Sequence, residues 1–67
     1  MIKVKLDLVM RDRGVTLIEL AEKVGITNAN MSLLKNGKVK GIRFETLERI
    51  CQVLNCQPGD ILEYGNE

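Results

Sequence analysis

The sequence predicts a small all-α domain of five helices, with a short ribbon that pairs the two ends of the chain. Apolar residues recur at the i, i+3, i+4 and i+7 positions of a helix, most clearly over residues 17–24, and turn residues interrupt the pattern. The 67 residues are enough for one domain, 1–67. Its core must be compact, because a chain this short hides only about 60% of its unfolded surface.

The first elements are marked by alternation and by start and stop residues. Apolar and basic residues alternate over 2–6, which predicts a strand, and a first helix follows over 7–13 before Gly14. The second helix has the clearest start signal, because Thr16 and Glu19 have the spacing of a capping box. Its apolar stripe consists of Leu17, Leu20, Ala21 and Val24.

A third helix is predicted to begin about two residues after the second ends. Gly25 supplies a positive φ at the end of the second helix, and Thr27 caps a third that runs over 28 to about 35. Its buried edge is predicted to be Met31 and Leu34, with Ala29 or Ile26 beneath. So short a join leaves no room to reverse direction, so the two helices cross steeply in a helix-turn-helix.

The last third of the chain predicts a loop, two helices and a strand. Residues 36–42 have loop composition, and Pro58 starts a last short helical turn after Asn55 and Cys56 end the fourth helix. The apolar positions of that fourth helix are Phe44, Leu47, Ile50, Cys51 and Leu54. An extended segment over 62–64 is predicted to pair with the N-terminal strand.

Composition argues against several classes of function. With two cysteines and no histidine, the chain cannot form a Cys/His zinc site, and it has neither a nucleophile–base motif nor a glycine-rich phosphate loop. We therefore expect no enzyme activity, cofactor, metal or small-molecule substrate. Cys51 lies on an apolar stripe and is predicted to be a buried free thiol, with a redox or metal role as the alternative. Reduced cysteines, the lack of an apolar run of about 20 residues and the lack of a signal-peptide pattern predict a cytoplasmic protein without membrane association.

The charge is unevenly distributed, although the net charge is only +1. Residues 23–44 contain five basic residues and no acidic one, whereas the rest of the chain has five basic and nine acidic residues. A local anion-binding face is one explanation, and a solvated loop that lacks acidic residues is the other.

Two asparagines at the start of the third helix are unusual, because asparagine competes for backbone hydrogen bonds inside helices. Asn28 and Asn30 follow the cap Thr27, where free backbone amides and the helix dipole favour phosphate. An asparagine amide can also bridge N6 and N7 of adenine in the major groove. The alternative is that both side chains only cap the first turn.

The stretch TLIELAEKVGITNANMSLLKNGK, residues 16–38, resembles the helix-turn-helix of Cro/cI-type (Xre family) regulators, in their compact single-domain subgroup. The resemblance extends over about residues 6–62 and implies a lambda-repressor-like fold and sequence-specific binding of double-stranded DNA, most simply by a repressor. It implies that Thr27 touches a phosphate, that the base-facing or groove-wall positions are Asn28, Ala29, Asn30 and Ser32, and that the backbone is met by Asn36 and Lys38. Lys40 and Arg43 would extend this basic edge.

Three positions depart from the pattern of the family. Leu17 stands where a glutamine often braces the recognition helix on a phosphate, and Ile18 stands where a polar residue is usual. Leu33 also replaces a polar or basic residue; it either contacts a thymine methyl group or is partly buried, against the core or a partner. These apolar residues support an alternative function, a protein-interaction module such as an antitoxin built on the same fold.

We also expect a homodimer, because one domain covers only about 600–1,000 Å² of DNA and makes few base contacts. A two-fold dimer would place its recognition helices about 34 Å apart, one turn of the duplex. The candidate dimer surface consists of the apolar residues that the helical stripes leave over: Ile2, Val4, Leu62 and Tyr64.

Overall fold

Five helices and a two-stranded ribbon make up the structure, a computed structural model that describes residues 1–65. The elements follow in the order β1 (Ile2–Val4), α1 (Leu6–Arg13), α2 (Leu17–Val24), α3 (Asn28–Lys35), α4 (Phe44–Leu54), α5 (Pro58–Ile61) and β2 (Leu62–Tyr64). The predicted fold class and the terminal ribbon are confirmed. Within residues 1–65, no helix is both long enough and apolar enough to cross a membrane.

The core lies where α2 packs against α3 and α4, with α1 and α5 closing it from the other side. Its buried side chains come from all five helices: Leu6, Met10, Leu20, Ala21, Val24, Met31, Leu34, Ile50, Leu54 and Ile61. No polar or charged side chain of the described residues is buried with them. Because the core is entirely apolar, hydrophobic burial is the main force that holds α3 in place.

Two arginines tie the helices together through backbone carbonyl groups. Arg13 donates from Nε to the carbonyl oxygen of Leu54 at 2.8 Å, at the end of α4. Arg49 donates from Nη1 to the carbonyl oxygen of Val24 at 3.2 Å, at the end of α2. A cation is favourable at a helix C-terminus, where carbonyl groups lack partners within the helix. Arg49 therefore helps to fix α4 against the end of α2 that precedes the turn.

The ribbon is antiparallel, with Ile2 opposite Tyr64 and Val4 opposite Leu62. Residues directly opposite each other share a face of the ribbon, so these four side chains lie on one face. Val4 and Leu62 are half-buried and pack against the core. Ile2 and Tyr64 remain exposed, at 62% and 71%. The predicted four-residue dimer surface is thus reduced to Ile2 and Tyr64, because the inner half of the ribbon covers the domain's own core.

The structure corrects the prediction for Phe44 and Cys51 and decides between Ala29 and Ile26. Phe44 is 87% exposed rather than buried, because it lies in the first turn of α4, ahead of the part that packs on the core. Ala29 is exposed, and Ile26 is the residue that packs beneath α3. Cys51 is a free thiol as expected, but it is half-buried rather than buried, because it lies at the edge of the α4 stripe.

Candidate nucleic-acid interface

The turn between α2 and α3 is held by backbone hydrogen bonds and a side-chain cap. Gly25 adopts a φ of 88°, and the amide of Ile26 donates to the carbonyl oxygen of Ala21 at 3.1 Å. Thr27 Oγ1 then accepts from the backbone amide of Asn30 at 3.1 Å. Because both ends of the turn are fixed, the first turn of α3 has a defined position on the surface.

Asn28 and Asn30 are exposed, and neither side chain makes a hydrogen bond within residues 1–65. The one side-chain cap of α3 comes from Thr27. Local capping, the alternative explanation for these asparagines, is therefore absent from the structure. Both amides are available to donate and to accept at the same time.

The outer face of α3 has an apolar centre. Ala29, Ser32, Leu33 and Asn36 follow one another at the i, i+3, i+4 and i+7 spacing of a single helix face, opposite buried Met31 and Leu34. Leu33 is 46% exposed. Asn36 donates from Nδ2 to Ser32 Oγ at 3.5 Å, so the two polar side chains of this face contact each other. Two apolar side chains, Ala29 and Leu33, are left facing outward.

The end of α3 connects the helix directly to the basic loop. Gly37 has a φ of 70°, which favours glycine over residues with a Cβ atom. The amide of Lys38 donates to the carbonyl oxygen of Leu33 at 2.9 Å, so the backbone of Lys38 is attached to the helix. The basic edge thus starts at a fixed place beside α3.

Three cations of residues 23–44 line three different clefts. Arg43 precedes α4 and lines one groove together with Asn30. Lys40 is exposed, but it lies beside a separate cleft that faces the ribbon. Lys35 is half-buried and lines a cleft with Asp7 and Leu17, on the opposite side of α3 from Arg43. Neither Lys35 nor Lys40 therefore lines the groove that Asn30 shares with Arg43.

The basic residues of the stretch 23–44 differ from those of the rest of the protein in their ion pairing. Four basic residues elsewhere pair with carboxylates: Lys5 with Glu63, Arg11 with Asp7, Arg13 with Asp12 and Arg49 with Glu45. None of the five cations of residues 23–44 forms an ion pair in the part of the chain that the structure describes. An exposed ion pair contributes little to stability. The absence of pairing in residues 23–44 therefore matters mainly because it leaves the positive electrostatic potential around α3 without neutralising carboxylates.

One carboxyl group and one thiol group have shifted pKa values, and both lie away from α3. The hydrogen bond from Lys5 holds the pKa of the Glu63 carboxyl below its ordinary value. Burial raises the pKa of the Cys56 thiol, and the neighbouring Cys51 raises it further. These groups belong to the ribbon and to the α4–α5 side, so neither provides titrating charge at the α3 face.

Sequence reasoning missed two features. The first is the contact of Arg49 with the end of α2; the only available signal was a basic residue on a helix predicted to pack nearby. The second is a groove of about 640 Å³ beside α4 and α5, lined by Phe44 together with Leu47, Cys51, Cys56 and Pro58. Helical spacing alone placed Phe44 in the core, so the groove could not be found from the pattern.

Comparisons of the sequence with protein families and with known proteins agree on one family. Residues 5–67 match the Cro/C1-type HTH DNA-binding domain. The uncharacterised HTH-type transcriptional regulator YozG of Bacillus subtilis (strain 168) is 55% identical over 64 residues, which cover 96% of this chain and 76% of that protein.

Two solved structures share the fold. One is a Bacteroides fragilis protein to which DNA binding has been provisionally ascribed, with a TM-score of 0.83 and 21% identity over 94% of this chain and all of the other. The other is the N-terminal DNA-binding domain of SinR from Bacillus subtilis, with a TM-score of 0.72 and 24% identity over 81% of this chain and 78% of the other. At these identities the two structures show the fold alone. By sequence, the chain belongs to the Cro/C1-type HTH DNA-binding domain family, a family of DNA-binding transcriptional regulators and not of enzymes.

Proposed function

We propose that this protein is a sequence-specific transcriptional repressor that inserts α3, residues 28–35, into the major groove of double-stranded DNA. One observation carries the proposal. Asn28 and Asn30 are exposed without hydrogen-bond partners in residues 1–65, and they belong to residues 23–44, whose five cations form no ion pair there. Amides read base edges, and cations neutralise phosphates.

The proposed contacts divide between bases and backbone. Asn28 and Asn30 meet base edges, and the hydroxyl of Thr27 meets a phosphate at the amide end of α3, where the helix dipole favours anions. Asn36, Lys38, Lys40 and Arg43 hold the phosphate backbone on either side. Ser32, Ala29 and Leu33 complete the face that enters the groove. A domain that occupies its site in this way represses most simply by excluding other proteins from the same DNA.

We further propose that the protein acts in the cytoplasm as a homodimer. Ile2 and Tyr64 support this, because they form an exposed apolar pair at the end of the ribbon. Sedimentation at tens of micromolar, with and without DNA, tests the dimer. A strict monomer under both conditions contradicts it.

Selection of bound sequences from random DNA, followed by point variants, tests the function. Asn28→Ala should weaken binding to the selected site by about 1–3 kcal/mol and random DNA much less, whereas Lys38→Ala should weaken both about equally. Gln52→Ala, an exposed amide on α4, is the matched control and should change neither. If Asn28→Ala loses the same affinity for the selected site and for random DNA, the result would contradict a base-reading role for Asn28.

A protein-interaction module, such as an antitoxin, is the second candidate. Ile18 favours it, because this side chain is exposed on α2 and serves no packing role. Recovery of a tight protein partner by the immobilised domain, together with no enrichment of any DNA sequence, would favour this function over DNA binding.

A further inference from the structure

We propose that Ala29 and Leu33 read thymine methyl groups, so that A·T base pairs form the centre of each half-site. The inference rests on the proposed insertion of α3 into the major groove. It assigns a specific chemical target to the two apolar side chains on the outer face of α3.

With α3 inserted as proposed, the outer face that carries these two side chains enters the groove first. Ala29 and Leu33 are four residues apart on the outer face, directly opposite the side that Met31 and Leu34 bury. Side chains at this spacing have Cβ atoms about 5–6 Å apart. Successive bases on one strand rise about 3.4 Å, so the two side chains together span about two neighbouring base pairs.

Four polar side chains surround this apolar pair. Ser32 and Asn36 share a hydrogen bond along the same face. Asn28 and Asn30 flank the face on either side, each about a quarter of a turn or more from Ala29. These polar side chains offer hydrogen-bond readout around the pair, and the pair itself offers apolar contact.

Thymine is the natural base that suits such a centre. In the major groove it is distinguished by the C5-methyl group, which alanine and leucine side chains contact. A cytosine amino group or a guanine acceptor would instead face an apolar surface and lose hydrogen bonds to water without replacement. The apolar centre therefore selects for thymine and against G·C pairs.

The surroundings of the pair favour DNA over a protein partner as its target. Exposed amides border Ala29 and Leu33 on both sides, and the cationic loop begins at Lys38, whose amide is bonded to the carbonyl group of Leu33. A contact with a protein core would have to desolvate these amides and cations as well. In a major groove the same groups meet base edges and phosphates.

The test replaces single thymines of the selected site by deoxyuridine, which removes only the methyl group. At the central positions each replacement should weaken binding about fourfold, the equivalent of one buried methylene-sized group. Leu33→Ala should bind the thymine site more weakly and lose most of its sensitivity to the replacement at one of these positions. Leu8→Ala, an equally exposed leucine on α1, should retain the full sensitivity.

A second probe separates the methyl group from the rest of the base. A central T·A pair replaced by C·G should bind weakly, and 5-methylcytosine in the same place should restore about fourfold of the loss. Unchanged affinity on the deoxyuridine series, with specific binding intact, overturns the thymine assignment and leaves the proposed function standing. If no sequence is selected at all, the proposed function fails first, and this inference fails with it. Sensitivity that persists fully in Leu33→Ala moves the contact away from Leu33 and also overturns the assignment.

Discussion

The two helices of the helix-turn-helix, α2 and α3, are alike in length and in their first cap but differ in how they use their other side chains. Each has eight residues and begins at a threonine whose hydroxyl accepts from the amide three residues later. In α2 the third position is Glu19, which completes a capping box by accepting from the amide of Thr16. In α3 the same position is Asn30, whose side chain makes no such return contact within residues 1–65.

The two helices also differ in how much of their surface is buried. Three side chains of α2 lie in the core, and its last carbonyl group receives Arg49. Only Met31 and Leu34 of α3 are buried, and the rest of its surface carries amides, small or apolar groups and the cation of Lys35. Local capping and packing thus serve stability in α2, whereas α3 is held by two core side chains and leaves Asn28, Ala29, Asn30 and Leu33 exposed.

The largest expected effect on stability comes from substituting the residues that each of the two helices contributes to the core. Leu20→Ala and Met31→Ala should each lower the free energy of unfolding by about 2–5 kcal/mol, because both side chains are fully buried. Leu33→Ala on the outer face should change it by no more than about 0.5 kcal/mol. Urea unfolding followed by circular dichroism measures all three. A loss at Leu33 as large as that at Met31 would mean that the outer face of α3 is part of the core.

The next largest effect concerns the threonine caps of α2 and α3 and tests whether each is coupled to the residue three positions later. Thr16→Ala and Thr27→Ala should each cost about 1 kcal/mol of unfolding free energy. Thr16 also contacts Glu19 through its hydroxyl at 3.1 Å, so a double-mutant cycle of these two residues should show coupling. The matched cycle of Thr27 and Asn30 with alanine should show none. Equal coupling in the two helices would contradict the difference described above.

Features that depend on local chemistry could be predicted from the sequence. The bounds of α3 follow from Thr27 as a cap and from the turn at Asn36 and Gly37, and the structure reproduces them. The capping box of Thr16 and Glu19 was likewise predicted and is present. Such signals act within a few residues, so a single sequence contains all that is needed to read them.

Features that depend on packing between distant segments could not be predicted in the same way. Phe44 fits the helical spacing of Leu47 and Ile50, yet its side chain is exposed whereas theirs pack in or against the core. Arg49 contacts α2 across 25 positions of sequence. The free amides of Asn28 and Asn30 were open to two explanations until the structure showed that Thr27 alone caps the helix. What these amides contact stays a prediction.

The smallest expected effect is that of Asn30→Glu. This substitution tests directly whether a residue that stabilises α3 weakens its binding to DNA. Asn30→Glu gives α3 the capping-box residue that Glu19 provides in α2, together with a negative charge near the positive end of the helix. It should raise the free energy of unfolding by about 0.3–1 kcal/mol. The same carboxylate would face base edges and phosphates, so affinity for DNA should fall.

Asn30→Gln is the matched control, because glutamine can also complete the box but carries no charge. It should give a smaller gain in stability and a smaller loss of affinity than glutamate. Thermal unfolding and binding to the selected DNA site, measured on the same preparations, compare the two variants. If glutamate stabilises the protein without weakening DNA binding, Asn30 lies outside the interface. If it weakens binding without stabilising the protein, the first turn of α3 cannot adopt the arrangement seen in α2, and the difference between the helices lies in their backbones rather than in this one side chain.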